Sequence, residues 1–235
     1  MSEIAENITE NIALKIVVKI VGKFDLRDLL ATLLQTRNYQ GTEVARRIFD
    51  ISVALVLLIV TMPLMLVAAL VVRLTSPGSV IFSQNRLTKG GQVFRMYKIR
   101  TMRADAEAGS GAVLAQKADS RVTPVGRFLR STRIDELPQL FNILRGEMSL
   151  IGPRPERPEI AEKLSRQFAN FDRRLEVKAG LTGFAQVQSG YASSVEEYDK
   201  KLKLDIYYVD NRSLKLDLLI AMKTCSVVVS GAGAR

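Results

Sequence analysis

The stretch Ile51 to Val72, ISVALVLLIVTMPLMLVAALVV, decides how the rest of the chain is read. Nineteen of its 22 residues are apolar, the exceptions being Ser52, Thr61 and Pro63, and none is charged. A straight helix of this length measures about 33 Å, enough for a hydrocarbon core of about 30 Å. Fifty residues precede it, so it is not read as a signal peptide. Pro63 lies near the middle, where it removes a backbone hydrogen bond and crowds the preceding turn. A kink there leaves two arms of about 15 to 18 Å, each reaching mid-bilayer. Cations flank both ends, Arg46 and Arg47 before and Arg73 after. Positive residues favour the cytoplasmic side, so this pattern suits a re-entrant helix over 44–74, kinked at Pro63, with both ends inside. A single span that tolerates its proline, or a buried core helix, stays open at this point.

Composition narrows the chemistry. The 235 residues carry 34 Lys and Arg against 24 Asp and Glu, a net charge of +10, which calls for an anionic partner. One cysteine, Cys225, excludes an internal disulfide and a cysteine-cluster metal site. With no histidine at all, Ser-His, Cys-His and His-metal chemistry are excluded. Any catalysis must use Asp, Glu, Lys, Arg, Tyr or a bound metal.

Outward from the apolar run, residues 1–43 read as a separate extension. Lys15, Lys19, Lys23 and Arg27 recur every four residues, the mark of an amphipathic helix at an interface or of one packed on the main domain. Downstream, Val80–Phe82 and Val93–Ile99 flank a Lys89-Gly90-Gly91 turn and predict a β-hairpin. Residues 104–120 read as a mobile helix or loop. Helices are expected over 125–133, 135–144, 160–177, 195–210 and 214–229. Thr132 and Asp135 resemble a capping box, and Leu181-Thr182-Gly183 a turn. The fold class is thus a membrane-associated, α-rich α+β protein. Its 75–235 region forms a cytoplasmic-face domain with a short hairpin and interfacial helices.

Two segments could carry chemistry. Asp135 and Glu136 are adjacent carboxylates near Arg130 and Arg133. They read either as helix-start acids beside a positive dipole end or as a carboxylate nucleophile with a neighbour that holds Mg²⁺ against phosphate. Pro153-Arg154-Pro155, after Gly152, is either a stiff surface loop or a rigid mount that presents an arginine fork to phosphate.

Seven segments in order resemble the bacterial sugar transferase family, the monotopic polyprenyl-phosphate phosphoglycosyl transferases. They are Arg47-Ile48-Phe49-Asp50, the stretch Gly78 to Arg86, Tyr97 to Met102, Asp135 to Asn142, Met148 to Pro155, Gly180 to Gly183, and Asp205 to Val209. The resemblance covers about residues 45–225. It implies transfer of a sugar-1-phosphate from a UDP-sugar to undecaprenyl phosphate, with release of UMP. That step initiates exopolysaccharide, capsule, O-antigen or glycoprotein glycan assembly. By resemblance Asp135 is the nucleophile and forms a phosphosugar-aspartyl intermediate. Glu136 completes the dyad, and both are candidate Mg²⁺ ligands. Arg130 and Arg154 bind phosphate, with Lys98 and Arg100 as further phosphate contacts.

The family also implies a helix that dips into one leaflet at a Ser-Pro pair, which here is Met62-Pro63. Membrane lipids are thus partners, and the location is the bacterial inner membrane with the catalytic domain on its cytoplasmic face. A homo-oligomer is left open. Where relatives often carry a Trp and Gly-Arg-Asn after the Gly-Leu-Thr-Gly turn, this chain has Phe184 and Gln188-Ser189-Gly190-Tyr191, a departure that bears on sugar choice. Two rivals stand beside this reading. A glycosyltransferase releasing UDP usually shows an Asp-x-Asp motif, which is absent here. A membrane-anchored basic scaffold fits the charge, but no aromatic-basic RNA-binding motif appears, so no nucleic-acid partner is expected.

Overall fold

The computed structural model describes residues 39–103, 105–106, 119–189 and 195–230. The expectations for most of the 1–43 extension, for the 104–120 segment and for Gly190-Tyr191 lie outside the described residues. The chain divides into two units, Met1–Thr42 and Glu43–Arg235, and the second holds the core and both carboxylates.

Helix α1 (Tyr39–Thr75) contains the whole apolar run and is continuous through Pro63. The ladder is perturbed there in two ways. Pro63 has no N–H to donate, and the Thr61 hydroxyl donates to the Leu57 carbonyl at 2.6 Å, a back-bond that bends helices. Much of the helix surface is apolar and uncovered: Ile59 and Val60 are 68% and 69% exposed. Among the described residues it is the one helix long and apolar enough to cross a membrane.

The other face of α1 is built into the core. Ala54, Leu58 and Met65 join Phe94, Met96, Leu140, Ile143, Tyr208 and Ile220 in one buried cluster. Ala68 and Val72 join Ile99, Leu129 and Ile134 in a second. Polar contacts hold both ends. At the start, Arg46 Nε donates to Asp217 Oδ2 at 2.8 Å, and Arg47 donates to the Ile143 and Leu144 carbonyls at 2.6 and 2.8 Å. Asp50 Oδ1 accepts the Leu150 amide at 2.9 Å and the Ser149 hydroxyl at 3.1 Å. Just past the end, Arg100 donates to the Ser76 and Pro77 carbonyls at 2.8 and 2.7 Å.

The expected hairpin forms, with a first strand longer than anticipated. β1 (Ile81–Leu87) and β2 (Val93–Ile99) pair antiparallel, from Ile81↔Ile99 to Leu87↔Val93. The connection turns through Gly90 and Gly91 at φ 69° and 72°, a region that favours glycine. Helices α2 (Pro124–Ser131) and α3 (Gln139–Arg145) follow, and a short 3₁₀ turn, Ile134–Glu136, lies between them.

Three expectations are corrected. Thr132 does not cap a helix start. Its hydroxyl donates back to the Phe128 and Leu129 carbonyls, and the helix expected over 135–144 begins only at Gln139, behind Pro138 and without a side-chain cap, whereas Thr123 caps α2 by accepting the Gly126 amide. The helix expected over 160–177 is α4 (Pro158–Gln167) alone: Phe168 turns extended, and the chain re-enters through the 3₁₀ segment Phe171–Leu175, so that Phe171 buries beside Ala161 and Leu202. The segments read as loop and turn contain a parallel pair, β3 (Ser149–Ile151) with β4 (Gly180–Thr182). Three-residue strands carry too little pattern to be read from sequence. The pair closes on glycines: a Cβ at Gly180 would lie 2.1 Å from the Gly152 nitrogen. Helices α5 (Phe184–Gln188), α6 (Val195–Asp210) and α7 (Leu214–Ser230) complete the fold, the last two as expected.

Gly180→Ala forces the β3–β4 backbones apart. It is expected to lower stability by about 1 to 3 kcal/mol, the range for overpacking, measured as the denaturant midpoint of the detergent-purified protein.

Candidate active site

The 3₁₀ turn that carries the two carboxylates is set by one backbone feature. Arg133 has φ 60°, and is the one described non-glycine residue in the left-handed region. The chain reverses there after α2, and Ile134, Asp135 and Glu136 all become buried. Such outliers cluster at active sites because surrounding structure must hold them.

Glu136 is fastened from two directions. Lys98 Nζ, from β2, donates to its Oε1 at 2.8 Å, and Arg154 Nη2 donates to the same oxygen at 2.7 Å. Burial alone would raise this carboxyl, but Arg154 and Lys98 outweigh it and hold it well below the usual carboxylate range. Asp135 differs. It accepts no hydrogen bond among the described residues. Burial pushes its carboxyl up; Lys98 opposes that rise, the Glu136 charge adds to it, and Arg130 and Arg154 oppose it. Two neighbouring carboxyls thus have opposite tendencies: Glu136 is a fixed anion, and Asp135 keeps its oxygens unclaimed.

Sequence reasoning placed Lys98, Arg130, Arg154, Asp135 and Glu136 in one site. The structure brings Lys98 and Arg154 onto Glu136, and it sets Arg130 within electrostatic reach of Asp135 while its Nε donates to Thr101 Oγ1 at 2.8 Å. Arg100 sits apart: both its terminal nitrogens are committed to the Ser76 and Pro77 carbonyls, where it fastens the end of α1. A guanidinium so engaged ties down the chain that follows α1.

Arg154 has its own support. Its carbonyl accepts Arg174 Nη2 at 2.8 Å, and the same nitrogen donates to Asp205 Oδ2 at 2.8 Å. Burial would raise Glu156, yet Lys201, Arg174 and Arg86 hold it at about 2. The sequence reading missed this buried network, although Asp205 stood inside one of its motifs. Nothing in a linear chain shows that residues 154, 174 and 205 meet.

Asp135 and Glu136 would be the residues to hold a magnesium ion, and only if water or other oxygens completed its shell. Among the described residues no three acidic, histidine or cysteine side chains converge, so no all-protein cage exists. Mg²⁺ needs only one or two carboxylates together with water and phosphate oxygens. The unclaimed oxygens of Asp135 beside Glu136 meet that requirement.

Because the Glu136 pKa is depressed by folding, its ion pairs add stability above the unfolded carboxyl value of about 4.3, and that stability is lost as pH falls toward the folded value. Wild type is expected to exceed Glu136→Gln in stability at pH 7, and the gap to narrow below about pH 4.3. Denaturant unfolding at both pH values tests this; a gap independent of pH would contradict it.

Known proteins share this chain's sequence over most of its length. The family model described as bacterial sugar transferase matches residues 41–231. A UDP-N-acetylgalactosamine-undecaprenyl-phosphate N-acetylgalactosaminephosphotransferase of Aeromonas hydrophila is 45% identical over 190 residues, covering 81% of this chain and 45% of that one. A UDP-glucose:undecaprenyl-phosphate glucose-1-phosphate transferase of Caulobacter vibrioides is 41% identical over 186 residues, covering 78% of this chain and 69% of its own. The uncharacterized sugar transferase EpsL of Bacillus subtilis is 40% identical over 190 residues, covering 81% of this chain and 90% of its own. The chain thus spans less than half of the Aeromonas relative and most of the other two. The matched segment holds α1, the hairpin, both carboxylates and the Arg154 loop, and on that basis the chain belongs to the bacterial sugar transferase family.

Proposed function

We propose that this protein transfers a sugar-1-phosphate from a UDP-sugar to undecaprenyl phosphate and releases UMP, the first committed step of a surface glycan. One observation carries the reading: Asp135 is a buried carboxylate that accepts no hydrogen bond among the described residues, next to an anchored Glu136 and within electrostatic reach of Lys98, Arg130 and Arg154. A carboxylate with free lone pairs in a cationic setting suits attack on a phosphorus that bears negative oxygens. An Asp135 oxygen attacks the sugar-bearing phosphorus, the bond to the UMP oxygen breaks, and UMP leaves with the electron pair. A lipid phosphate oxygen then attacks the same phosphorus and restores the Asp135 carboxylate. Arg154 and Arg130 hold phosphate oxygens, and Lys98 keeps Glu136 ionised. Magnesium, when bound by Asp135 and Glu136, supplies neutralisation of phosphate charge. The named relatives use different sugars, N-acetylgalactosamine and glucose, so the donor is found by assay.

The same reading places the protein at the cytoplasmic face of the inner membrane with α1 re-entrant and bent near Pro63. Supporting this, residues at both ends of the helix bond to one polar domain: Arg47 and Asp50 to α3 and β3, Ser76 and Pro77 to Arg100. A helix crossing the bilayer would carry one end about 30 Å from the other's surroundings.

Purified protein is given undecaprenyl phosphate, Mg²⁺ and a panel of UDP-sugars. UMP release is expected with at least one sugar, and Asp135→Asn is expected to lose more than about 10³-fold in rate with its fold retained. UDP release instead would move the protein to glycosyltransferases, and no release with an intact fold would favour the scaffold reading. For topology, cysteines placed near residues 44 and 76 are expected to label from the cytoplasmic side only; labelling from opposite sides would establish a span.

A further inference from the structure

We infer that Asn142 is a positioning residue: its buried carboxamide locks the register of β2 against α3 and so delivers Lys98 to Glu136. The inference deepens the site proposed above and rests on that reading for its rate measurements.

Asn142 is fully buried on α3. Its Oδ1 accepts the Tyr97 backbone N–H at 3.1 Å, and its Nδ2 donates to the Arg95 carbonyl at 2.7 Å and to Glu147 Oε2 at 2.6 Å. The amide thus offers β2 one acceptor and one donor, as a neighbouring strand would. β2 needs them. Its sheet has two strands, so β1 covers one edge. The Arg100 amide donates to the Val80 carbonyl of the β1 side. By strand alternation Arg95 and Tyr97 therefore present their backbone groups to the opposite edge. Left buried without partners, these groups would each be destabilising.

Register matters here because side chains alternate. Phe94 and Met96 are buried on the core face, and Lys98 follows them on that face toward Glu136. A slip of one residue would turn Lys98 to the other face and bring Tyr97 in its place. The β1 ladder pairs β2 with another strand of the hairpin but not with the carboxylates. Asn142 does: it lies six residues after Glu136 and is bonded to the residue before Lys98. One carboxamide therefore ties β2, which carries Lys98, to α3, which directly follows the 3₁₀ turn that carries Glu136.

The test uses the full chain in detergent and reads contact separately from rate. A water-soluble carbodiimide joins a lysine amine to a touching carboxylate as an amide, and the carbodiimide is converted to its urea. Two crosslinks are quantified by peptide mass spectrometry: Lys98–Glu136, at 2.8 Å, and as a fold control Lys201–Glu156, at 3.1 Å. Asn142→Asp keeps the size and the acceptor but loses the donor. It is expected to weaken the first crosslink several-fold and spare the second. UMP release is expected to fall by about 10- to 100-fold, the scale of a small misplacement. It is also expected to show the kcat-against-KM pattern of Lys98→Met. Adding Lys98→Met to Asn142→Asp is expected to cost nothing further, since both remove one contact. An unchanged Lys98–Glu136 crosslink, or losses that multiply in the double variant, would overturn the inference. If both crosslinks vanish, Asn142→Asp has unfolded and Asn142→Ala, which removes both bonds to β2 without adding a charge, decides, with selective weakening of the Lys98–Glu136 crosslink supporting the inference and no weakening overturning it. Selective crosslink loss with no UMP release from any protein, wild type included, would uphold the positioning role and reject the proposed reaction.

Discussion

A carboxylate taken out of water must find cations, and in this protein that need organises the site. Glu136 is buried, and its one oxygen gathers Lys98 from the hairpin and Arg154 from the proline-flanked loop. Removing one partner of such a cluster leaves an uncompensated charge, so the elements bearing the partners must arrive together. Each has its own fastening. The strand is held by Asn142, the loop by Arg174 with Asp205, and the turn by the left-handed backbone at Arg133.

The long apolar helix belongs to this scheme. Arg47 satisfies the terminal carbonyls of α3, and Asp50 accepts from β3, so the start of the helix grips the chain that follows the carboxylates. Its far end packs Ala68 and Val72 against Leu129 and Ile134, next to Asp135. A segment that reads as a membrane element is therefore also packed against Ile134, which begins the turn that carries Asp135. That arrangement suits the proposed reaction, in which a nucleotide sugar and a lipid phosphate would meet beside the apolar helix.

The contrast between the two carboxyls follows from their neighbours rather than their chemistry. Adjacent residues in a 3₁₀ turn point in different directions. Glu136 therefore meets both cations directly, and Asp135 feels them only through space. One is a fixed anion, and the other accepts no hydrogen bond among the described residues, as the proposed roles require.

Much of this was legible in the linear chain. The apolar run, the hairpin and the last two helices follow from local pattern, and ordered motifs single out Asp135, Glu136, Lys98, Arg130 and Arg154, which the fold brings together. Hydrophobic periodicity and turn chemistry act over a few residues, and sequence carries them directly. The tertiary structure alone decided the partnerships. It committed Arg100 to the carbonyls just past α1, ended the helix begun at Pro158 at Gln167, and paired β3 with β4 from well-separated segments. It also joined Asn142 to β2 and Arg174 to Arg154. Those choices depend on which buried donors and charges find partners from distant segments, and no local pattern encodes that.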